Sequence, residues 1–223
     1  MWMMARPKQK SFLDSVALLA LGLGIALGWG NGAIPSWGQT LGQPARASDS
    51  MVRVLVVYHS LTGNTEKMAH GVVAGVRAVP GTHAILKKVG EVTAKELLAA
   101  DAVIVGSPVY WSNMAGAVKA FFDEWQFRFG VYPEFKMKDK VGAAFATGGQ
   151  VSGGKEVTML TILAAMLGNQ MIVVSGGGAF GASATTEGKS PGIDDEELQD
   201  ARALGRRVAE VAWMIKRGRE ARP

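Results

Sequence analysis

Apolar β-branched runs alternate with amphipathic segments from residue 52 to residue 219, and this alternation restricts the folds open to the chain. The first run, Val52 to Tyr58, is bounded by a turn and is typical of a strand buried on both faces of a sheet. Further strands are predicted at 83–89, 101–107, 141–147 and 171–175, and helices at 66–79, from 93, and at 114–125, 156–167 and 194–219. Strands that alternate with helices predict an α/β domain, a doubly wound five-stranded parallel sheet with helices on both faces.

Charged and hydroxyl side chains mark the ends of several predicted elements. The segment from Thr93 to Glu96 has the pattern of a capping box that opens a short helix. The last helix begins with the acidic run Asp194 to Glu197 and ends near Lys216 and Arg217, an order that complements the helix dipole. The second strand is more polar than the first, so we place it at an edge of the sheet.

The first fifty residues differ in character from the rest. Basic residues precede an apolar run of about fourteen residues, Val16 to Trp29, which is shorter than the roughly 20 needed to span a bilayer. We therefore predict a leader over residues 1–50, either a signal peptide cleaved near Ala45 to Ala47 or near Ala33, or an uncleaved membrane anchor. The domain would then be exported or anchored. Alternatively, translation starts at Met51 and the domain, residues 51–223, is cytoplasmic.

The amino-acid composition excludes several kinds of chemistry. The chain has no cysteine, so disulfides, iron–sulfur clusters and thiol catalysis are excluded. Its three histidines, His59, His70 and His83, lie at no spacing typical of a metal site, and we predict no metal. The net charge of +5 comes without a basic stripe interleaved with aromatic residues, so we expect no nucleic-acid partner.

Two glycine-rich segments come close to nucleotide-binding motifs. Gly149 to Glu156 is nearly a phosphate-binding P-loop, but Glu156 stands where Ser or Thr would hold magnesium. Gly176 to Gly181 contains G-x-G-x-x-G, but the following residues, 182–195, are predicted to form a loop rather than the helix that would bind a pyrophosphate. We predict neither activity and interpret 176–181 as a flexible connection.

Three loops follow strands whose carboxyl ends share one edge of the predicted sheet, where ligands of doubly wound folds bind. The first, Ser60 to Thr65, opens a helix, so its N–H groups favour an anion. Three hydroxyls and one amide side chain surround its single glycine without any cation, which suits a small monophosphate. A helix N-cap alone would explain one or two of these polar residues but not four.

The second and third loops suit a flat ligand. The second, Ser107 to Met114, places Tyr110 and Trp111 just beyond a buried strand, where aromatic residues either join the core or stack on a ring; a predicted cap at Ser112 and Asn113 favours stacking. The third, Thr147 to Glu156, has four glycines that allow close backbone approach. Together the loops describe a flat ring on a phosphorylated tail.

These three loops resemble those of the flavodoxin-like FMN proteins, and residues 51–218 are similar to the NAD(P)H:quinone oxidoreductases once described as Trp-repressor-binding proteins. The resemblance implies strand order 2-1-3-4-5. It also implies that the FMN phosphate and ribityl tail are bound by Ser60, Leu61, Thr62, Gly63, Asn64 and Thr65. The isoalloxazine would be lined by Pro108, Val109, Tyr110, Trp111 and Asn113, and its polar edge approached by Thr147, Gly148, Gly149, Ser152, Gly153 and Gly154.

The resemblance also implies an activity, in which electrons pass from NAD(P)H through flavin N5 to a quinone or similar acceptor. No side chain is predicted to be catalytic, because the flavin carries the chemistry. Alternatives are a one-electron carrier of the flavodoxin type and a non-catalytic FMN-binding interaction protein. Carriers of this fold surround FMN with carboxylates, whereas the third loop has none between Thr147 and Lys155 and has Lys155 beside it, which favours two-electron transfer.

Two departures from the family pattern concern the acceptor and the assembly. The histidine pair usual before the fifth strand is missing from residues 164–170, which affects quinone orientation rather than FMN binding. The insertion usual after the second strand is reduced to residues 90–92. Family members form tetramers, so we expect a homo-oligomer, a dimer or a tetramer.

Overall fold

The computed structural model of the chain describes residues 51–187 and 192–221. The predicted leader lies outside these residues, so its export or membrane anchoring stays a prediction. In the described part, no helix combines the length and the apolar character needed to cross a membrane.

The described residues contain seven strands and five α-helices. The strands are β1 (Val52–Tyr58), β2 (Thr82–Lys88), β3 (Ala102–Tyr110), β4 (Asn113–Met114), β5 (Val141–Gly148), β6 (Ile172–Val173) and β7 (Ala182–Thr185). The helices are α1 (Asn64–Arg77), α2 (Ala94–Ala99), α3 (Gly116–Phe127), α4 (Lys155–Gly168) and α5 (Asp195–Glu220).

The sheet has the order β2-β1-β3-β5-β6, and β7 also pairs with β5. The pairs of β1 with β2, of β1 with β3, and of β3 with β5 are all parallel. With β6 and β7 taken together as the fifth predicted strand, this is the predicted order 2-1-3-4-5 of a flavodoxin-like fold. The placement of the polar second strand at the sheet edge is also confirmed.

The fifth strand differs from its prediction because it is divided. β6 pairs with the start of β5, where Val141 lies opposite Ile172, whereas β7 pairs with its end, from Phe145 to Gly148. The predicted loop from residue 182 is therefore wrong at residues 182–185, which form a strand. The glycine run between β6 and β7, for which a flexible connection is predicted, is closely packed in the structure: a Cβ on Gly181, where φ is +136°, would lie 1.9 Å from the Ala144 carbonyl oxygen.

The core lies on both faces of the sheet, as the alternation of side chains along β1 requires. Val54 and Val56 belong to the cluster that includes buried residues of α1 and α5. Leu55 and Val57 belong to the opposite cluster, with buried residues of α2, α3 and α4. Both faces of the central strands are thus covered, which explains why β1, β3 and β5 are almost continuously apolar.

Two of the helix caps predicted from the sequence are present in the structure, and a third is absent. The predicted capping box at Thr93 and the acidic start of α5 at Asp194 are both confirmed, because each side chain accepts from the N–H three residues later. The predicted cap at Ser112 and Asn113 is wrong. Helix α3 begins after Ala115 without a side-chain cap, since residues 112 and 113 belong to a β-hairpin.

Candidate functional site

Two adjoining cavities lie at the carboxyl ends of β1, β3 and β5, between the loops that follow these strands. The inner cavity has about 140 Å³ and is lined by Leu61, Thr62, Asn64, Thr65, Pro108, Val109, Tyr110, Thr147, Gly148, Gly149 and Thr186. The outer cavity has about 310 Å³ and is lined by Val109, Trp111, Ser112, Gly148, Gly149, Gln150 and Gly153. Every described residue in both linings is uncharged.

The first loop is held in shape by its own polar groups. The N-cap residue of α1 is Gly63, whose backbone lies in the left-handed region. Because glycine has no side chain, it does not compete with a ligand for the first N–H groups of the helix. Ser60 Oγ accepts from the Gly63 N–H at 3.1 Å, and Asn64 Nδ2 donates to Thr62 Oγ1 at 3.1 Å. The result is a preformed hydroxyl-rich turn at a helix N-terminus, the environment in which proteins bind phosphate.

A buried hydroxyl pair joins the first loop to the third. Thr65 Oγ1 and Thr147 Oγ1 are 2.8 Å apart, and both residues are at most 3% exposed. On the outer side of the same loop, Asn64 Oδ1 accepts from the Gly192 N–H at 2.7 Å, and Lys67 Nζ donates to the Ile193 carbonyl at 2.7 Å. The first loop is therefore fixed both to β5 and to the segment that precedes α5.

The second loop is a tight hairpin between β3 and β4. Tyr110 pairs with Asn113, which leaves Trp111 and Ser112 as the two turn residues, with φ of 52° and 60°. Positive φ at both positions is the geometry of a type I′ turn, in which Asn-Gly is preferred and bulky residues are strained. At the base of the hairpin, Ser107 Oγ accepts from the Ala115 N–H at 2.9 Å.

The aromatic side chains of this hairpin face solvent. Trp111 is fully exposed and Tyr110 is 40% exposed, so the possibility that they belong to the core is excluded. The Tyr110 and His59 rings are nearly perpendicular, with ring centroids 6.2 Å apart. A strained and fully exposed tryptophan beside a cavity gives the protein little stability, and its geometry suits a ring that stacks on it.

The third loop is built around a buried lysine. Lys155 is 4% exposed, and its Nζ donates to the carbonyls of Gln150 and Val151 and to Thr185 Oγ1. Gly154 packs against the hairpin, where an added Cβ would lie 2.7 Å from Ser112 Cα. The positive charge that the sequence predicts next to the third loop is therefore present. It is buried, and the carbonyls of the loop accept hydrogen bonds from it.

The structure brings together most of the predicted site residues. Twelve of the seventeen line one or both cavities. The remaining five are beside the linings: Ser60, Gly63 and Gly154 shape the loops, Asn113 closes the hairpin, and Ser152 is exposed. Their contact with a ligand stays a prediction.

Sequence reasoning missed three lining residues, Ser112, Gln150 and Thr186. Thr186 is 8% exposed and donates its N–H to the Gly148 carbonyl at 2.8 Å. It reaches the inner cavity only because β7 pairs with the end of β5. The hydroxyl pair Thr185–Thr186 is the available signal in the sequence, but it lies in a segment that is predicted to be a loop.

The site suits FMN on its donor set and its shape. Hydroxyls, one amide and the uncapped start of α1 surround the inner cavity, which fits a phosphate and a polyol tail. The outer cavity has glycine backbone on one side and an exposed aromatic residue on the other, which fits a flat heteroaromatic ring. Fold and site together define a flavodoxin-like protein.

Comparison with known proteins agrees with this class. The family model described as NADPH-dependent FMN reductase matches residues 86–186. An NAD(P)H dehydrogenase (quinone) from Archaeoglobus fulgidus is 32% identical, over 73% of this chain and 98% of the relative. A flavodoxin from Aquifex aeolicus is 36% identical, over 76% of this chain and 92% of the relative. A WrbA-like flavodoxin from Agrobacterium tumefaciens, known from its crystal structure, has a TM-score of 0.62 at 28% identity, covering 73% of this chain and 98% of that protein.

The chain belongs to the flavodoxin-like family of NAD(P)H dehydrogenases (quinone). The matched relatives are covered over nearly their whole length by about three quarters of this chain.

Proposed function

We propose that the protein is an FMN-dependent oxidoreductase that takes electrons from NAD(P)H and delivers them to a quinone or a similar small acceptor. The observation that carries the proposal is the pair of cavities whose described lining residues are uncharged, with phosphate-type donors at one end and an exposed aromatic wall at the other. When bound, FMN supplies two-electron chemistry at its N5 atom. The names of the matched relatives support both the donor and the acceptor.

The residues of the chain bind and orient the cofactor. The first loop and the N-terminus of α1 would hold the phosphate, and Thr186 would close the same cavity from the β7 side. The hairpin would hold the ring through Tyr110 and Trp111, and Gly148 to Gly153 would approach its polar edge. FMN is favoured over FAD because one phosphate loop is present and the cavities offer no second nucleotide-binding fold within the described residues.

A one-electron carrier is the second candidate, since flavodoxins are also among the matched relatives. Carriers of this fold surround FMN with carboxylates, which disfavour the negative charge that full reduction adds to the ring. The described residues of both cavity linings include no carboxylate, which argues against a carrier. The predicted homo-oligomer is a further proposal, supported here by family membership.

The test is a steady-state assay of NADH and NADPH oxidation by FMN-loaded protein with benzoquinone as acceptor. We expect turnover with quinone, and heat release of FMN rather than FAD on chromatography. A carrier would bind FMN but oxidise neither nucleotide, and an interaction protein would show no turnover with or without flavin. Release of FAD would contradict the assignment of the cofactor.

Replacement of Trp111 by glycine separates its binding role from its structural cost. We expect flavin affinity to fall about tenfold or somewhat less, since an aromatic stacking contact contributes on the order of 1 kcal/mol beyond burial. The free energy of unfolding of the apoprotein should be unchanged or rise by about 1 kcal/mol, because glycine relieves the strain at φ 52°.

The matched control is Phe127→Ala, which removes another exposed aromatic residue, 82% accessible, from the end of α3. Titration monitored by flavin fluorescence gives the affinities, and urea denaturation gives the stabilities. Equal flavin affinity in the Trp111→Gly variant and the parent would show that the ring does not stack on Trp111.

A further inference from the structure

Lys155, the first residue of α4, is a buried cation whose hydrogen-bond partners are all uncharged. Its Nζ donates to Gln150 O at 2.9 Å, to Val151 O at 3.0 Å and to Thr185 Oγ1 at 2.8 Å. An ammonium group has three N–H donors, and these three acceptors use them all. A carboxylate, that of Glu197, also binds β7, but its oxygens accept hydrogen bonds from the backbone N–H groups of Thr185 and Asp194.

The lysine also fixes the orientation of two peptide planes in the third loop. The carbonyls of Gln150 and Val151 point to the ammonium. Because a peptide unit is planar and trans, the N–H groups of the following residues, Val151 and Ser152, point away from it. The aliphatic part of the side chain packs behind Gly148, where an added Cβ would lie 3.2 Å from Lys155 Cγ. The side-chain stem therefore packs on the glycine that both cavities share, and the ammonium binds the carbonyl of Gln150, a residue of the outer lining.

A positive charge in this position favours negative charge in the cavity. Charges separated by buried protein interact more strongly than the same charges in water, because the effective dielectric constant is about 20 rather than 80. The lining residues that the structure describes provide no opposing carboxylate. Full reduction of a flavin by two electrons adds negative charge to the ring, whereas binding of the oxidised ring does not.

We propose that Lys155 is a positioning residue that shapes the third loop and raises the two-electron reduction potential of the bound flavin. This inference rests on the proposed function, since it requires FMN in the two cavities. The charge of Lys155 gives the site a preference between the two redox forms of the flavin, because it favours the reduced, anionic ring over the oxidised ring. A site biased in this way suits an acceptor that takes electrons in pairs.

Two neutral variants test the inference, Lys155→Gln, whose amide can still donate to a loop carbonyl, and Lys155→Met, which is apolar. In either variant we expect affinity for reduced FMN to fall roughly tenfold more than affinity for oxidised FMN. That ratio lowers the two-electron midpoint potential by about 30 mV. The potential is measured by equilibration with reference dyes, and the affinity for oxidised FMN by fluorescence titration. One folded variant is sufficient for the comparison.

Two further variants separate charge from architecture. Lys140→Met removes another lysine that donates to backbone carbonyls, those of Leu98 and Ala100, but just before β5, at the opposite end of that strand from the site. Thr185→Val removes one acceptor of the Lys155 ammonium and keeps the charge. We expect both to retain the parent potential within about 10 mV, a small part of the shift for a tenfold change.

The outcomes distinguish this inference from the proposed function. If the parent protein binds no FMN, the proposed function fails before the lysine variants are examined. If FMN binds and both redox forms lose affinity equally in the Lys155 variants, the potential is unchanged. Lys155 then only supports the loop, and the inference is overturned. A shift of the same size in Thr185→Val would overturn it as well.

Discussion

The double variant Thr62→Ala/Thr65→Ala is expected to bind FMN about a hundredfold more weakly than the parent. Both residues line the inner cavity, and among the described residues neither the first loop nor either lining contains a cation that could hold a phosphate instead. A hydrogen bond to a charged group contributes roughly 1.5–3 kcal/mol, so the loss of two such bonds corresponds to a hundredfold change or more. Isothermal titration of the apoprotein measures the effect.

Riboflavin, which has the same ring without the phosphate, is the control ligand. It should bind the parent far more weakly than FMN and should lose little affinity in the double variant. Thr82→Ala is the control variant: this threonine donates to the Val76 and Val79 carbonyls at the far end of α1, so its loss changes stability but not the cavities. Equal losses for FMN and riboflavin would mean that the loop supports the fold and binds no phosphate.

The sequence predicted the fold and the place of the site because both depend on local patterns. The run from Val52 to Tyr58 requires burial on both faces, and the polar second strand could only lie at an edge. The composition of the first loop alone indicates a ligand, since four hydrogen-bonding side chains around Gly63 exceed the needs of a turn. Parallel strands then brought the loops after β1, β3 and β5 together at one edge of the sheet.

The parts that the sequence did not predict depend on long-range pairing. The two halves of the last strand pair with opposite ends of β5, and this division alone places Thr186 in the inner cavity. The hairpin turn at Trp111 and Ser112 could not be recognised from the sequence either, because Asn-Gly is the usual sequence of a type I′ turn. The strain at this turn falls where a ligand is expected, as local rules are most often broken at functional sites.

Lys155 shows a third kind of limit. A lysine at the start of a helix after a glycine-rich loop is usually exposed, and its burial depends on carbonyls supplied by the loop and on a hydroxyl thirty residues away. No spacing rule links Lys155 to Thr185. Its sequence position did indicate a positive charge near the loop, but the structure was needed to show that this charge orders the loop.

The largest effect on stability is expected for Gly205→Ala, in the middle of α5. Glycine in a helix interior normally costs about 1 kcal/mol relative to alanine, so alanine would usually stabilise the protein. Here α5 packs directly on the backbone of α1, and a Cβ on Gly205 would lie 2.0 Å from the Val72 carbonyl oxygen. Neither backbone can give way without separating the helices, and overpacking of this kind costs 1–3 kcal/mol or more. We therefore expect a loss of about 3 kcal/mol in the free energy of unfolding.

Gly218→Ala, in the last turn of the same helix, is the matched control with the opposite sign. A Cβ at Gly218 meets no atom of the described residues within 4 Å, so alanine should stabilise the protein by about 0.5 kcal/mol through helix propensity alone. Urea denaturation of the apoproteins gives both values, and the difference in Tm should approach 10 °C for a domain of this size. Because α1 also carries the first loop at its N-terminus, Gly205→Ala should weaken FMN binding, whereas Gly218→Ala should not. If Gly205→Ala is as stable as Gly218→Ala, the two helices do not approach as closely as the structure shows, and the position of the first loop relative to β5 has to be revised with them.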